Sequence, residues 1–461
     1  MTPVAATTTT TTTIASATPL ERLLVGTPYV SYTYSYPHKT AYRALDPAVP
    51  LREAWAAERR DALFLYLHIP FCEMRCGFCN LFTTANPHED LEAAYLAALR
   101  RQAPRVREAV GPATFARLAI GGGTPTYLSP AAIDGLFDLA AEVYGVDARA
   151  IPVSVETSPH TATTEKLRLL RGRGVDRVSI GVQSFDEAEV HSIGRAQRTA
   201  DVLAALDRIR AAGFPTLNID LMYGLPGQTV PSWLDSVRMA LRFNPEELYL
   251  YPLYVRPLTG IAGRRRRGVD AAPPVDLRAD CYRAARDLLL AHGYTQVTMR
   301  MLRAAHAPTA DGPVYCVQDD GMLGLGCGAR SYTQALHYST EYAVGRRGVR
   351  DILADFVARR DDEFDAATYG FRLDPEEQRR RYVIKSLLES DGLSQHAYQT
   401  RFGAPTCDDL PDLIELAQHG LVREEDGLLQ LTARGLEYSD AIGPWLYSAR
   451  ANRLMGGYDL R

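Results

Sequence analysis

YLHIPFCEMRCGFCN, residues 66–80, runs from an apolar segment into a loop that carries Cys72, Cys76 and Cys79. The run that opens it, Leu63 to Ile69, is short and apolar and lies between polar stretches, as a buried strand does. Three thiolates on one tight loop can hold three irons of a cubane cluster and leave the fourth open to a ligand from outside the protein. A Cys3His zinc site completed by His68 is the alternative reading. Structural zinc, however, usually takes paired ligands from two separated knuckles. Three thiols with no cofactor would be an oxidation liability.

The same alternation repeats downstream. Strands are predicted at Leu63–Ile69, Ala116–Ile120, Val153–Glu156, Arg177–Val182, Thr216–Leu221 and Glu247–Leu253. Helical patterns lie between them at Leu91–Val110, Ala131–Tyr144, Thr163–Arg173, Ala200–Ala212 and Val230–Phe243, several opened by Ser, Thr or Pro and closed by Gly. Six βα units predict an α/β fold built on a partial (β/α)6 barrel. Beyond Tyr254 the alternation stops, and the four arginines Arg264–Arg267 between glycines read as a solvated connection rather than an anion clamp. The stretch from Asp276 to Tyr369 reads as a helix, a short strand near Thr295–Thr298 and the loop GLGCGARSYT, an extension of the main body. After Pro375 come three short helical patterns, then LVREEDGLLQLT, two apolar runs turned by Asp426-Gly427, then another helix. That order predicts a winged-helix-like accessory domain. The expected divisions are a disordered leader and arm at 1–50, the barrel at 51–262, the extension at 263–370 and the C-terminal domain at 371–461.

Composition narrows the class. The chain has 461 residues, 46% hydrophobic and 23% charged, with a formal net charge of -4, so nothing in its overall charge favours nucleic acid or an anionic membrane. Arg379, Arg380 and Arg381 are neighbours rather than a helical stripe, which argues against DNA binding by the C-terminal region. The seven cysteines are an odd number, and Cys281, Cys316, Cys327 and Cys407 are scattered, so no disulfide framework is expected and a reducing, cytoplasmic setting fits. No uninterrupted apolar run reaches the roughly 18 residues of a membrane span. Thr7–Thr13 is of low complexity with nothing to bury and reads as part of the leader.

Further motifs sit at the ends of the predicted strands. GGGTPTYL (121–128) follows the second; Glu156 ends the third; SIGVQSF (179–185) spans the fourth; IGRAQ (193–197) follows; and NIDLMYGLPGQT (218–229) carries the fifth. The glycines at 121–123 let a ligand approach the backbone. A dinucleotide fingerprint fails, because Thr126 stands where its last glycine belongs. Glu156, Gln183 and Asp220 fall at the C-terminal strand ends, the face where barrels assemble their sites.

With these motifs, the stretch from about Tyr29 to Tyr447 resembles the HemN-like family, the oxygen-independent coproporphyrinogen III oxidases and their relatives among radical S-adenosylmethionine (SAM) enzymes. The resemblance implies a [4Fe-4S] cluster on Cys72, Cys76 and Cys79 that cleaves SAM to a 5′-deoxyadenosyl radical. It implies that Gly122, Gly123 and Thr124 contact the methionine part of SAM. Glu156, Gln183 and Asp220 would meet its amino group and ribose hydroxyls, Arg195 its carboxylate, Tyr66 its sulfonium and Phe78 its adenine. It also implies a small-molecule substrate and an electron donor of the flavodoxin or ferredoxin type, with its reductase.

The family runs several chemistries, and its fold does not choose among them. The coproporphyrinogen oxidases carry a further cysteine two residues after the triad, where this chain has Leu81. The haem-carrying branch begins almost at the cluster strand, whereas here PYVSYTYSYPHKTAYR precedes it, with His38, Lys39 and Arg43 as groups able to hydrogen-bond a substrate. In the family a segment before the barrel helps close the site. Tyr251, Tyr254 and Arg256 are candidates to line a second pocket. The resemblance is therefore closest to the branch that uses two SAM molecules for methylation or cyclopropanation at an sp2 carbon, with a partner methyltransferase as a further candidate. A non-catalytic haem carrier using groups such as His337 and Cys327 is the reading from another class.

Overall fold

The computed structural model describes residues 19–269, 275–309, 316 and 321–460. The threonine run lies outside them. Thirteen strands of the described chain share one sheet. In chain order they are β1 (Arg43–Pro50), β2 (Leu63–Ile69), β3 (Phe115–Gly122), β4 (Val153–Thr157), β5 (Arg177–Gln183), β6 (Thr216–Tyr223), β7 (Glu247–Pro252), β8 (Tyr294–Gln296), β9 (Met301–Ala304), β10 (Met322–Leu325), β11 (Arg330–Tyr332), β12 (Leu336–Ser339) and β13 (Ala366–Arg372). Across the sheet the order is β1-β13-β12-β11-β10-β2-β3-β4-β5-β6-β7-β9-β8.

Strands β2 to β7 are consecutive parallel neighbours and form the partial barrel. Their runs are apolar because helices cover their outer face. Those helices are Glu89–Val110, Pro130–Tyr144, Thr164–Gly172, Thr199–Ala212 and Val230–Leu241. Their ends follow local chemistry: Ser129 Oγ accepts from the Ala132 amide, and Gly145 ends the same helix at φ 68°. Trp233 is fully buried, and its Nε1 donates to the Cys281 carbonyl at 2.8 Å, tying the last barrel helix to helix Arg278–Ala291.

The sheet continues past both ends of the barrel. On one side β10 lies parallel beside β2, pairing Met322 with Phe64 through Leu325 with Leu67, and β11, β12, β13 and β1 follow antiparallel. On the other, β9 and β8 are antiparallel beside β7. The strand expected near Thr295–Thr298 is Tyr294–Gln296, and Thr298 makes only an isolated bridge to Glu389. The arginine run is not a loop. Gly260–Arg266 is a helix, capped by Thr259 Oγ1 on the Ala262 amide, and Arg264 donates to the Ser192 carbonyl at 2.5 Å.

The C-terminal region packs its own core around Val383, Leu387, Tyr398, Leu416 and Ile442. Its hairpin Val422–Glu425 and Leu428–Leu431 turns at Asp426 (φ 51°) and Gly427 (φ 76°), with Leu393–Ser394 as third strand. Two left-handed residues at the centre match the twist of the flanking strands. The N-terminal arm lies between this region and the barrel. The Ser31 amide donates to the Asp440 carbonyl at 3.0 Å, Lys385 Nζ to the Tyr34 carbonyl at 3.2 Å, and the Tyr36 hydroxyl to Glu377.

Candidate active site

The cysteine loop leaves β2 and is pinned from three sides. Phe71–Cys72 pairs with Thr84–Ala85, closing the loop on itself. The Gly77 amide donates to the Ile193 carbonyl at 2.8 Å, while the Gly77 carbonyl accepts from the Ile261 amide at 2.9 Å. No side chain fits at residue 77, because a Cβ there would stand 2.7 Å from the Ile193 oxygen. The amides of Gly123 and Thr124 donate to the carbonyls of Ile69 and Phe71, both at 2.7 Å, so the glycine loop after β3 is stitched to the strand that carries the cysteines. A Cβ on Gly123 would lie 2.9 Å from Cys72 Sγ.

All three thiols are free and partly accessible. Each sulfur has a hydrogen-bond partner of its own: Thr124 Oγ1 donates to Cys72 at 3.6 Å, Arg195 Nη1 to Cys76 at 3.3 Å, and Cys79 meets the Thr83 hydroxyl at 3.9 Å and the Leu81 amide. Burial pushes the Cys72 thiol up to about 12 and raises Cys79 as well, so a bound cation is needed to hold these groups as thiolates. Among the described residues no three His, Cys, Asp or Glu side chains converge as ligands of a single ion. His68 is buried, its Nδ1 on the Tyr66 hydroxyl at 3.2 Å and its Nε2 on the Phe82 carbonyl at 3.4 Å, and burial lowers it to about 4. The zinc alternative therefore lacks its fourth ligand. Three separately supported sulfurs suit a polynuclear cluster in which each takes a different iron.

The remaining predicted residues stand on the same mouth of the barrel. Glu156 Oε2 accepts from the Gly122 amide at 2.9 Å. Gly122 sits at φ 120°, and a Cβ there would strike the His68 ring at 2.6 Å. Glu156, one residue before the end of β4, lies in the open mouth of the barrel, where its side chain keeps accessible surface while protein surrounds the carboxyl on most sides. Burial nonetheless pushes its carboxyl up to about 7, against the pull of the Gly122 N–H. Asp220 accepts from Asn218 Nδ2 at 2.7 Å and Ser179 Oγ at 3.3 Å, and burial raises it to about 6. Gln183 holds φ 71° where the β5–β6 register slips between Gly181 and Gln183. A non-glycine residue there carries strain of about 1–3 kcal/mol, and the irregularity re-aims its side chain. Arg195 is buried, donating to the Gly181 carbonyl at 2.6 Å, Gln197 Oε1 at 2.7 Å and Cys76 Sγ. Phe78 packs on a small apolar cluster of Ile193, Met222, Leu225, Leu253 and Ile261. Tyr66 shares a strand face with His68.

The Radical SAM superfamily description matches residues 66–240, and the HemN C-terminal domain description matches residues 373–438. An oxygen-independent coproporphyrinogen III oxidase of Cereibacter sphaeroides is 31% identical over 408 residues, covering 83% of this chain and 88% of that protein. The chain belongs to the HemN-like family of radical SAM enzymes. A haem chaperone of Bacillus subtilis, HemW, is 28% identical over 374 residues, 80% of this chain and 95% of that protein. The solved structure of Escherichia coli coproporphyrinogen III oxidase (HemN), described as a radical SAM enzyme, superposes with a TM-score of 0.76 at 26% identity over 90% of this chain and 97% of that one. A [4Fe-4S] cluster and SAM are accordingly the cofactors of this HemN-like chain.

Sequence reasoning missed the residues that brace the HemN-like site. Ile193 and Ile261 hold Gly77 through backbone groups alone, and backbone contacts leave no residue-type signal. The resemblance assigns Thr124 to the methionine part of SAM and not to Cys72, and nothing in the sequence singles out Thr83. Arg43, a candidate for substrate, is instead spent on the Leu454 carbonyl and on the Thr40 carbonyl at 2.8 Å.

Proposed function

We propose that this HemN-like enzyme uses its deoxyadenosyl radical on the methyl group of a second SAM and transfers the resulting one-carbon unit to an sp2 carbon of a small-molecule substrate. When bound, the cluster supplies the electron that cleaves the first SAM. The observation that carries the reading is Leu81. This side chain, 48% exposed directly beyond the cysteine loop, stands where the resemblance puts a cysteine in the oxidases.

In this reading Glu156, Gln183, Asp220 and Arg195 hold SAM by its amino group, hydroxyls and carboxylate. Gly122, Gly123 and Thr124 accept its methionine part along the backbone. Tyr66 and Phe78 flank the sulfonium and the adenine. The arm, packed over the mouth, excludes water and oxygen from the radical.

A second reading, oxidative decarboxylation, is favoured by the extent of the match to the coproporphyrinogen oxidases. The carrier reading draws no support from Cys327 and His337, which are 0% and 1% exposed. The deciding experiment is anaerobic. Reconstituted protein receives reductant and SAM with a CD3 methyl group, and the 5′-deoxyadenosine is analysed by mass spectrometry. Deuterium in the deoxyadenosine is the expected result. Unlabelled deoxyadenosine together with release of carbon dioxide from coproporphyrinogen III would replace the methyl-transfer reading with the oxidase one.

A further inference from the structure

Backbone groups hold the chain ahead of Cys72, through the amides of Gly123 and Thr124 on the carbonyls of Ile69 and Phe71. Directly after Cys72 stands a side chain with no part yet in the chemistry. Glu73 Oε1 accepts from Ser158 Oγ at 2.7 Å, one residue past the end of β4, whereas Arg75 reaches away to the Val344 carbonyl. The Ser158 hydroxyl meets Thr161 Oγ1 at 2.9 Å. Thr161 Oγ1 meets Thr126 Oγ1 at 2.7 Å, and Thr126 Oγ1 meets Thr157 Oγ1 at 2.8 Å. All four hydroxyl residues are buried.

The protons give this chain a direction. A hydroxyl has one proton to give, and a carboxylate only accepts. Ser158 therefore donates to Glu73 and accepts from Thr161, Thr161 accepts from Thr126, and Thr126 from Thr157. Every bond points toward Glu73, and the charge at that end strengthens and aligns the bonds behind it. The chain touches three parts of the site: the cysteine loop at Glu73, the glycine loop's continuation at Thr126 and the strand end beside Glu156 at Thr157. Lys166 Nζ holds the far side, donating to the Thr126 carbonyl at 2.7 Å. Glu73 Oε2 is buried with no hydrogen-bond partner among the described residues, so one hydroxyl answers the whole carboxylate. Burying a carboxylate on so little opposes folding, which sets Glu73 apart from an ordinary loop fastening.

We propose that Glu73 is a positioning residue for SAM, which through this directed hydroxyl chain holds the cysteine loop, the glycine loop and Glu156 in one fixed arrangement. The inference rests on the SAM contacts proposed for the glycine loop and Glu156, and is independent of the substrate that the radical attacks.

The test titrates SAM by calorimetry into the anaerobically reconstituted full-length enzyme without reductant, so that no electron is available to cleave it. Glu73→Leu and Ser158→Ala, compared at wild-type iron content, are each expected to weaken SAM about tenfold. Glu73→Gln, whose Oε1 still accepts, should stay within about threefold of wild type. The double variant should bind no more weakly than either single one, because both changes cut the same chain. Hydrogen exchange on the same loaded protein gives a second readout: residues 121–128, which Glu73 reaches only through the chain, should exchange faster in Glu73→Leu. Wild-type affinity in Glu73→Leu, a loss in Glu73→Gln equal to that in Glu73→Leu, or additive losses in the double variant would each overturn the proposal. Should Glu73→Leu take up too little iron to titrate, Ser158→Ala leaves the cysteine loop's own residues intact, and wild-type affinity there overturns the proposal as well. Glu156→Ala tests the underlying contacts. Weakened SAM in that variant beside wild-type affinity in Glu73→Leu removes this proposal alone, and wild-type affinity in Glu156→Ala removes the contact reading and this proposal with it.

Discussion

Each cysteine sulfur meets a different hydrogen-bond partner, so the three cysteines are not equivalent in what their loss releases. Cys72→Ala, Cys76→Ala and Cys79→Ala are all expected to abolish SAM cleavage, seen as absent deoxyadenosine and loss of the cluster's visible absorption. Thr124→Val keeps the size of the side chain but removes the bond to Cys72, and should leave a cluster whose reduction potential is lowered, measured by a redox titration followed by electron paramagnetic resonance. Glu156 and Asp220 make a prediction about acidity. Burial raises both carboxyls, to about 7 and about 6, above unfolded values near 4. A raised carboxyl holds its proton more tightly in the folded state. The ligand-free protein should therefore lose stability as pH rises from about 4 through about 7, and regain it on acidification across the same window. Urea midpoints between pH 5 and 8 should show a shallower dependence for Glu156→Gln than for wild type; an identical slope would rule Glu156 out as its source. At this scale the cysteines, Glu156, Asp220 and Arg195 were legible because polar residues interrupt apolar runs. The clamp on Gly77 was not, because the Ile193 carbonyl and the Ile261 amide that hold it are backbone groups and leave no residue-type signal.

Among elements, the cluster loop depends on the helix Gly260–Arg266 as much as on its own strand. Gly77→Ala puts a methyl group into the Ile193 carbonyl and should move the loop. Iron content after reconstitution is expected to fall well below wild type while the far-ultraviolet circular dichroism is unchanged. The six barrel strands were legible from their apolar, β-branched runs, and the helices from caps such as Ser129 and Gly145. Strand β1 was hidden by Pro47 and Pro50; proline is tolerated there because β1 is an edge strand whose pairing is interrupted between Ala44 and Val49. Strand β10 was hidden by its brevity and by Gly324, which has room only for hydrogen beside the Arg330 backbone. The arginine run read as solvated because its composition is that of a loop. Arg264's bond to Ser192 and the Thr259 cap turn it into a helix instead.

For the whole molecule, barrel, arm and C-terminal region meet at Asp440. This carboxylate accepts from Arg300 and from the Tyr254 hydroxyl, while its own backbone carbonyl receives the arm's Ser31 amide. Arg300 and Asp440 are 4% and 1% exposed, so Asp440→Ala strands a buried guanidinium. A loss of about 3–5 kcal/mol in urea unfolding is expected, with most of it recovered when Arg300→Met is combined with Asp440→Leu. A change below about 1 kcal/mol would mean that solvent reaches the pair.

The place of β10 in the sheet also sets a timetable. Strand β2 delivers the cysteine loop, yet its outer neighbour β10 is supplied by residues 322–325. During synthesis the edge of β2 stays open until about two-thirds of the chain has left the ribosome, and the contact that closes it is among the most distant in sequence. An early barrel fragment would present an unpaired strand beside three unprotected thiols, which exposes it to aggregation and oxidation. Production of active protein should therefore be more sensitive to oxygen while the chain is being made than after it has folded.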